Sequence, residues 1–164
     1  MGQLLDLKVL DLSLADRMRD TSRPVLLVGF QRQSNLGIGY LAATLQRWGY
    51  RVEVFDFEAD RAEILRAAQA LNPVLIGFSL IFQSYINWFS SLIGYLRATG
   101  IHCHFTMGGH FPSLSYERTL ELLPGLDSVV RFEGEETLLE LVDMLSVGRD
   151  WHDIQALPMR IQGR

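Results

Sequence analysis

Val25-Leu26-Leu27-Val28-Gly29-Phe30 is a continuous apolar run of strand length, opened by Pro24 and followed by the polar stretch Gln31 to Asn35. A strand without polar alternation is one covered on both faces, as parallel strands in α/β sheets are. The residues that follow supply the cover. Ile38, Leu41, Ala42, Leu45 and Trp48 share one helical face, and Gly49 suits a helix C-terminus. A second strand, Arg51 to Phe55, ends at Asp56; Ala62, Leu65, Ala68 and Leu71 then mark a helix stopped at Asn72-Pro73, because the residue before proline is pushed out of the right-handed helical region.

The same alternation repeats to the end. Val74 to Ser79 reads as a third strand. Trp88 or Phe89, Leu92, Ile93 and Leu96 mark a helix up to Gly100, and Ile101 to Met107 a fourth strand. A helix from about Ser113 to Leu123, a strand from Ser128 to Phe132 and a helix from Glu135 to Val147 complete the set. Five strand–helix repeats with short connections predict a flavodoxin-like α/β fold: a five-stranded parallel sheet of order 2-1-3-4-5 with helices on both faces. The domain is expected over residues 24–148. Residues 1–23, whose leucines alternate in two registers, form an N-terminal extension. Residues 149–164 lack periodicity and read as a linker.

Composition narrows the classes. A chain of 164 residues can bury roughly 68–70% of its extended surface without disulfides or structural metals. Cys103 is the only cysteine, so this chain alone makes neither a disulfide nor a cysteine-ligated iron–sulfur site. A net charge of −4 argues against a nucleic-acid surface. No apolar run approaches a membrane span and no signal peptide is evident, so a cytoplasmic, membrane-free protein is expected.

The strand exits carry the candidate site, because open α/β folds bind ligands there. They are Ser79-Leu80-Ile81-Phe82, Gly108-Gly109-His110-Phe111-Pro112-Ser113, and Arg131-Phe132-Glu133-Gly134-Glu135. Two adjacent glycines let backbone approach a ligand that a Cβ would repel. Glu135 and Glu136 fit a helix start, where carboxylates are favoured; capping does not account for Arg131 or Glu133. His102 and His104 fall on one strand face but lack a third metal ligand, so packing is the better reading and no metal site is assigned. His110 fits ligand contact and loop packing equally.

Gly37-Ile38-Gly39-Tyr40-Leu41-Ala42, with Asp56 and Glu58 downstream, has the glycine pattern of a dinucleotide turn. That turn must follow its strand directly, whereas Gln31 to Leu36 intervene here. No phosphate loop is present. A phosphoreceiver needs an aspartate where Ser79 stands and a lysine near strand five, and Lys8 is the only lysine.

In order and placement the three exits, together with Leu36-Gly37-Ile38-Gly39-Tyr40-Leu41-Ala42-Ala43, resemble the cobalamin-binding domain of cobalamin-dependent radical S-adenosylmethionine enzymes. The resemblance covers roughly residues 24–147. It implies that the nucleotide tail of cobalamin threads in beside Gly108 and Gly109, with Ser79 bonding it and Leu80, Ile81 and Phe82 offering apolar surface. His110, Phe111 and Pro112 would flank the tail, Gln31 to Leu36 would cover the lower corrin face, and Arg131 to Glu135 would form the rim. On this reading a bulky residue at either glycine blocks the tail and spares the fold.

Cobalamin domains of the methionine-synthase and mutase type carry Asp-x-His-x-x-Gly in the first loop. This chain has Arg32-Gln33-Ser34-Asn35-Leu36-Gly37, with Ser34 in place of the histidine. The resemblance therefore implies base-off cobalamin without a histidine ligand. It further implies a radical S-adenosylmethionine barrel C-terminal to this chain, bringing S-adenosylmethionine and a 4Fe-4S cluster. The intact protein would be a methyltransferase acting on an unactivated carbon or phosphorus, or else a cyclase or ring-contracting relative; the chain alone would not catalyse. The alternatives are a free-standing cobalamin-binding or sensing module and a nucleotide-binding flavodoxin-like domain.

Overall fold

The computed structural model describes residues 19–31, 36–154 and 157–159. Strands β1 (Val25–Gly29), β2 (Val52–Asp56), β3 (Leu75–Ser79), β4 (His104–Gly108) and β5 (Ser128–Val129) alternate with helices α1 (Leu36–Arg47), α2 (Arg61–Leu71), α3 (Ile86–Ala98), α4 (His110–Leu114), α5 (Tyr116–Leu122) and α6 (Glu135–Ser146). The strands pair in parallel in the order β2-β1-β3-β4-β5. This is the flavodoxin-like arrangement that the alternation predicts.

Strand parity sorts the core into two layers. Leu26, Val28, Ile76, Phe78, Phe105 and Met107 pack with Ile64 and Ala68 of α2 and with Phe89, Leu92, Ile93 and Leu96 of α3. On the other face Val25, Leu27 and Leu75 pack with Ile38, Ala42 and Leu45 of α1 and with Leu138, Leu141 and Val142 of α6. Within α3 it is Phe89 that is buried; Trp88 is half-exposed.

Several boundaries differ from expectation, each for a local reason. The fourth strand starts at His104, because the guanidinium of Arg97 takes the carbonyls of Ile101 and Cys103 at 3.1 and 2.9 Å. Those groups are thus satisfied without a ladder. The helix expected over Ser113–Leu123 is two helices. The first begins at His110, immediately after Gly109, and Ser115 (φ −137°, ψ 53°) separates it from the second. Pro112 is tolerated in that first turn, where its missing N–H has no partner to lose. The fifth strand stops at Val129, and Phe132 turns away with φ 57°.

The stretch expected as a linker packs on the fold as far as it is described. Ile154 and Leu157 are buried, the Val129 amide donates to the Pro158 carbonyl at 2.9 Å, and Met159 bridges Ser128 in antiparallel sense. The tail thus covers an edge strand two residues long, which would otherwise expose unpaired backbone. The N-terminal extension lies outside the described residues except for its last few. There Arg19 pairs with Asp143 of α6 at 2.5 Å and lies over the ring of Trp48.

Candidate functional site

Parallel register lines small residues up across the sheet on the face that α1 and α6 cover. Ser79 sits opposite Gly108 at the strand ends. One row deeper, Leu27, Gly77 and Thr106 stand side by side, with Ser128 next to Thr106. Two rows of Gly, Ser and Thr leave space that larger side chains would fill. The result is a cavity of about 590 Å³ between the sheet and the two helices. Leu27 and Gly77 floor it, Ile38 and Leu41 wall it on the α1 side, and Val130 and Leu138 wall it on the α6 side. Leu114 and Phe132, 65% and 68% exposed, stand at its mouth.

Of the residues singled out from the sequence, Gly37, Ser79, Ile81, Gly108, Gly109, His110, Phe132, Gly134 and Glu135 line this cavity. Gln31, Leu36, Leu80, Phe82, Phe111, Pro112, Arg131 and Glu133 are not on its wall. Arg32, Gln33, Ser34 and Asn35 lie outside the described residues. Leu80 offers no surface to a ligand: it is fully buried in the opposite layer with Ile76 and Phe78, because parity sends it away from Ser79.

Gly109 serves the frame more than a ligand. Its φ is +116°, and a Cβ there would lie 2.3 Å from the Leu80 carbonyl oxygen. The Leu80 amide in turn donates to the Gly108 carbonyl at 2.9 Å, so the exits of β3 and β4 are pressed together. Glycine is the residue that this geometry admits. The expectation that a bulky residue at position 109 spares the fold is therefore corrected; at Gly108 an added Cβ would sit 3.3 Å from the Val130 carbonyl oxygen, a tight contact but a longer one than at Gly109.

Arg131 is a clasp. Its Nε donates to the Ser113 carbonyl at 3.0 Å, and its guanidinium lies over the rings of Tyr116 and Phe132. Ser113 Oγ accepts from the Phe132 amide at 2.8 Å and donates to the Gly109 carbonyl at 2.7 Å. These bonds hold Phe132 in a left-handed conformation that costs a bulky residue about 1–3 kcal/mol and that clusters at functional sites.

The polar groups of the deep wall form one chain. His104 Nε2 lies 2.8 Å from Ser128 Oγ, and Ser128 Oγ donates to Thr106 Oγ1 at 2.9 Å. His104 is buried, its ring edge-on to Trp151 of the tail. Burial lowers its pKa to about 4; Arg97 and His152 act in the same direction, against Asp127. The folded pKa lies below the unfolded value, so the unfolded chain binds the proton first as pH falls. Stability that is complete above about pH 6.5 should decline towards pH 4 by about 3 kcal/mol. Urea unfolding at pH 7 and pH 4.5 measures this, and His104→Gln should flatten the difference.

The two histidines differ in surroundings, His104 being buried within β4. His102 precedes β4 and is exposed, and no group of three or more metal-ligating side chains occurs among the described residues. Asp56, a ribose candidate on the dinucleotide reading, accepts from the amides of Gln31 and Glu58 at 3.1 and 3.0 Å. Among the described residues no helix is long and apolar enough to cross a membrane.

Sequence reasoning missed the deep row. A glycine inside an apolar strand is the sign that could have found Gly77, and Thr106, like His104, is a polar residue within the fourth strand.

Fold and cavity together define a flavodoxin-like α/β domain with a cavity at its strand ends, between the sheet and helices α1 and α6. The B12 binding domain family matches residues 22–142, and the chain belongs to that family. The uncharacterized methyltransferase PH0819 of Pyrococcus horikoshii is 28% identical over 132 residues, which cover 79% of this chain and 28% of that protein. This chain therefore spans little more than a quarter of that relative. The cobalamin-dependent S-adenosylmethionine radical enzyme OxsB shares the fold at a TM-score of 0.67 and 20% identity, over 87% of this chain and 21% of its own. The methanol:cobalamin methyltransferase complex MtaBC of Methanosarcina barkeri does so at 0.63 and 19%, over 79% of this chain and 48% of its own.

Proposed function

We propose that this domain holds cobalamin with the nucleotide tail in the cavity and the corrin over the strand ends, base-off, within a radical S-adenosylmethionine methyltransferase. The observation that carries the reading is the cavity of about 590 Å³ along the small-residue rows, open at the strand ends and walled by apolar side chains. A flat heteroaromatic ring needs such a slot, and a few polar groups suffice to orient it. Ser79 stands at the upper row to bond the tail, while Leu114 and Phe132 offer apolar surface to the corrin. Gln31 to Leu36 would lie under its lower face.

Cobalamin supplies a cobalt centre that carries a methyl group. The chain's part is to bury the tail, keep the ring flat over the strand ends and withhold an axial imidazole. The order of the three strand-exit motifs, the methyltransferase relative and the likeness to OxsB support an intact protein in which a C-terminal barrel brings S-adenosylmethionine and a 4Fe-4S cluster.

Base-off binding follows if the tail is buried, since its base cannot then reach cobalt, and residues 31–36 contain no histidine. Residues 31–36 would then bring no imidazole to the bound cobalamin, and the groups a protein sets around a cofactor tune its electronics. The competing imidazole is His110, exposed on the cavity wall. Electron paramagnetic resonance of the bound Co(II) form should show no nitrogen superhyperfine splitting, in wild type and His110→Ala alike. A nitrogen triplet lost on His110→Ala would assign the lower face to that residue instead.

A further inference from the structure

Thr106 is 2% exposed, and its side chain lies in the deep row of the cavity between Gly77 and Ser128. Its hydroxyl accepts a 2.9 Å bond from Ser128 Oγ but spends its own proton on the Ser128 carbonyl at 3.3 Å. That second bond is longer than an O–H···O bond normally is, so the proton is available to a better acceptor. The surrounding wall, Leu27, Gly77, Val130 and Leu138, offers no other side-chain donor.

The partners behind Thr106 let it serve in either sense. With the proton on His104 Nε2, His104 donates to Ser128, Ser128 to Thr106, and Thr106 can donate into the cavity. With the proton on Nδ1 the chain reverses: Thr106 donates to Ser128, Ser128 donates to Nε2, and the threonine oxygen accepts from the cavity. Burial keeps His104 neutral near pH 7, which is the state that has both tautomers.

Geometry says which part of a ligand meets this group. Thr106 lies one row below the Ser79–Gly108 row, and two residues along a strand span about 6.6 Å. That is the length of a fused two-ring heteroaromatic. With its nitrogen edge at Ser79, such a ring puts its far edge at Thr106.

We propose that Thr106, backed by Ser128 and His104, is a specificity residue that lets the cavity accept cobamides whose lower base carries a polar group on its far edge. This inference rests on the reading that the cobalamin tail occupies the cavity. Two probes differ only at that edge: cobalamin, with 5,6-dimethylbenzimidazole, and the cobamide with 5-hydroxybenzimidazole. Wild type should bind both.

Thr106→Val, which keeps the shape and frees Ser128 to donate to His104, should weaken the hydroxybenzimidazole cobamide about tenfold and cobalamin by less than about twofold. Thr106→Ser, which keeps the hydroxyl, should restore the wild-type ratio of the two affinities, and it controls for any repacking by valine. Uptake of both cobamides with an unchanged ratio in Thr106→Val overturns this inference alone. Wild type that binds neither overturns the cobalamin reading and this inference with it.

Discussion

Gly77→Val should lower cobalamin affinity by roughly a hundredfold while the domain stays folded. The added Cβ would lie 2.8 Å from Leu27 Cδ2, the far end of a flexible side chain, with no backbone atom closer than 4.0 Å. Leu27 can therefore turn aside, and Gly77 has no left-handed φ for valine to strain. Valine is at ease in a strand interior. Its methyl groups, however, and the displaced Leu27, occupy the deep row that both residues line. Absorbance titration with hydroxocobalamin reads the affinity, and thermal unfolding reads the fold. Wild-type affinity in this variant would mean that the tail does not run down the small-residue rows.

Gly109→Val acts on the fold. Its cost should reach about 4 kcal/mol or more, the range tied to strain and core disruption. A Cβ 2.3 Å from the Leu80 oxygen and 2.8 Å from its carbonyl carbon meets backbone, which cannot rotate away, and a φ of +116° is itself unfavourable for valine. Relief would need β3 and β4 to part where the Leu80 amide bonds the Gly108 carbonyl. Urea unfolding measures the loss, with Gly108→Val as the milder neighbour. A Gly109→Val protein as stable as wild type would show that the close approach to Leu80 is not required.

The fold was legible because β1 and β3 are apolar runs, periodic helices follow most of the strands, and helix-stopping glycines or a proline mark the joints. Parity was legible too: Leu75, Gly77 and Ser79 share a face, so Leu80 had to point the other way. The deep wall was harder to see. Gly77 and Thr106 come together through strand register, which no stretch of sequence displays.

Arg131 meets Ser113 across 18 residues of sequence, and the His110 helix is one turn long, too short for periodicity to announce. Ile154 and Leu157 lie buried without an amphipathic pattern, because they cover a sheet edge.

Cobinamide, which has the corrin but no nucleotide tail, allows the most direct measurement. The chain is titrated with hydroxocobalamin and with cobinamide and the bound fraction isolated by gel filtration. About one equivalent of hydroxocobalamin should be retained, and cobinamide should bind at least about tenfold more weakly, since the buried tail carries much of the affinity. Retention of neither, or of cobinamide as tightly as hydroxocobalamin, would contradict cobalamin binding through a buried tail.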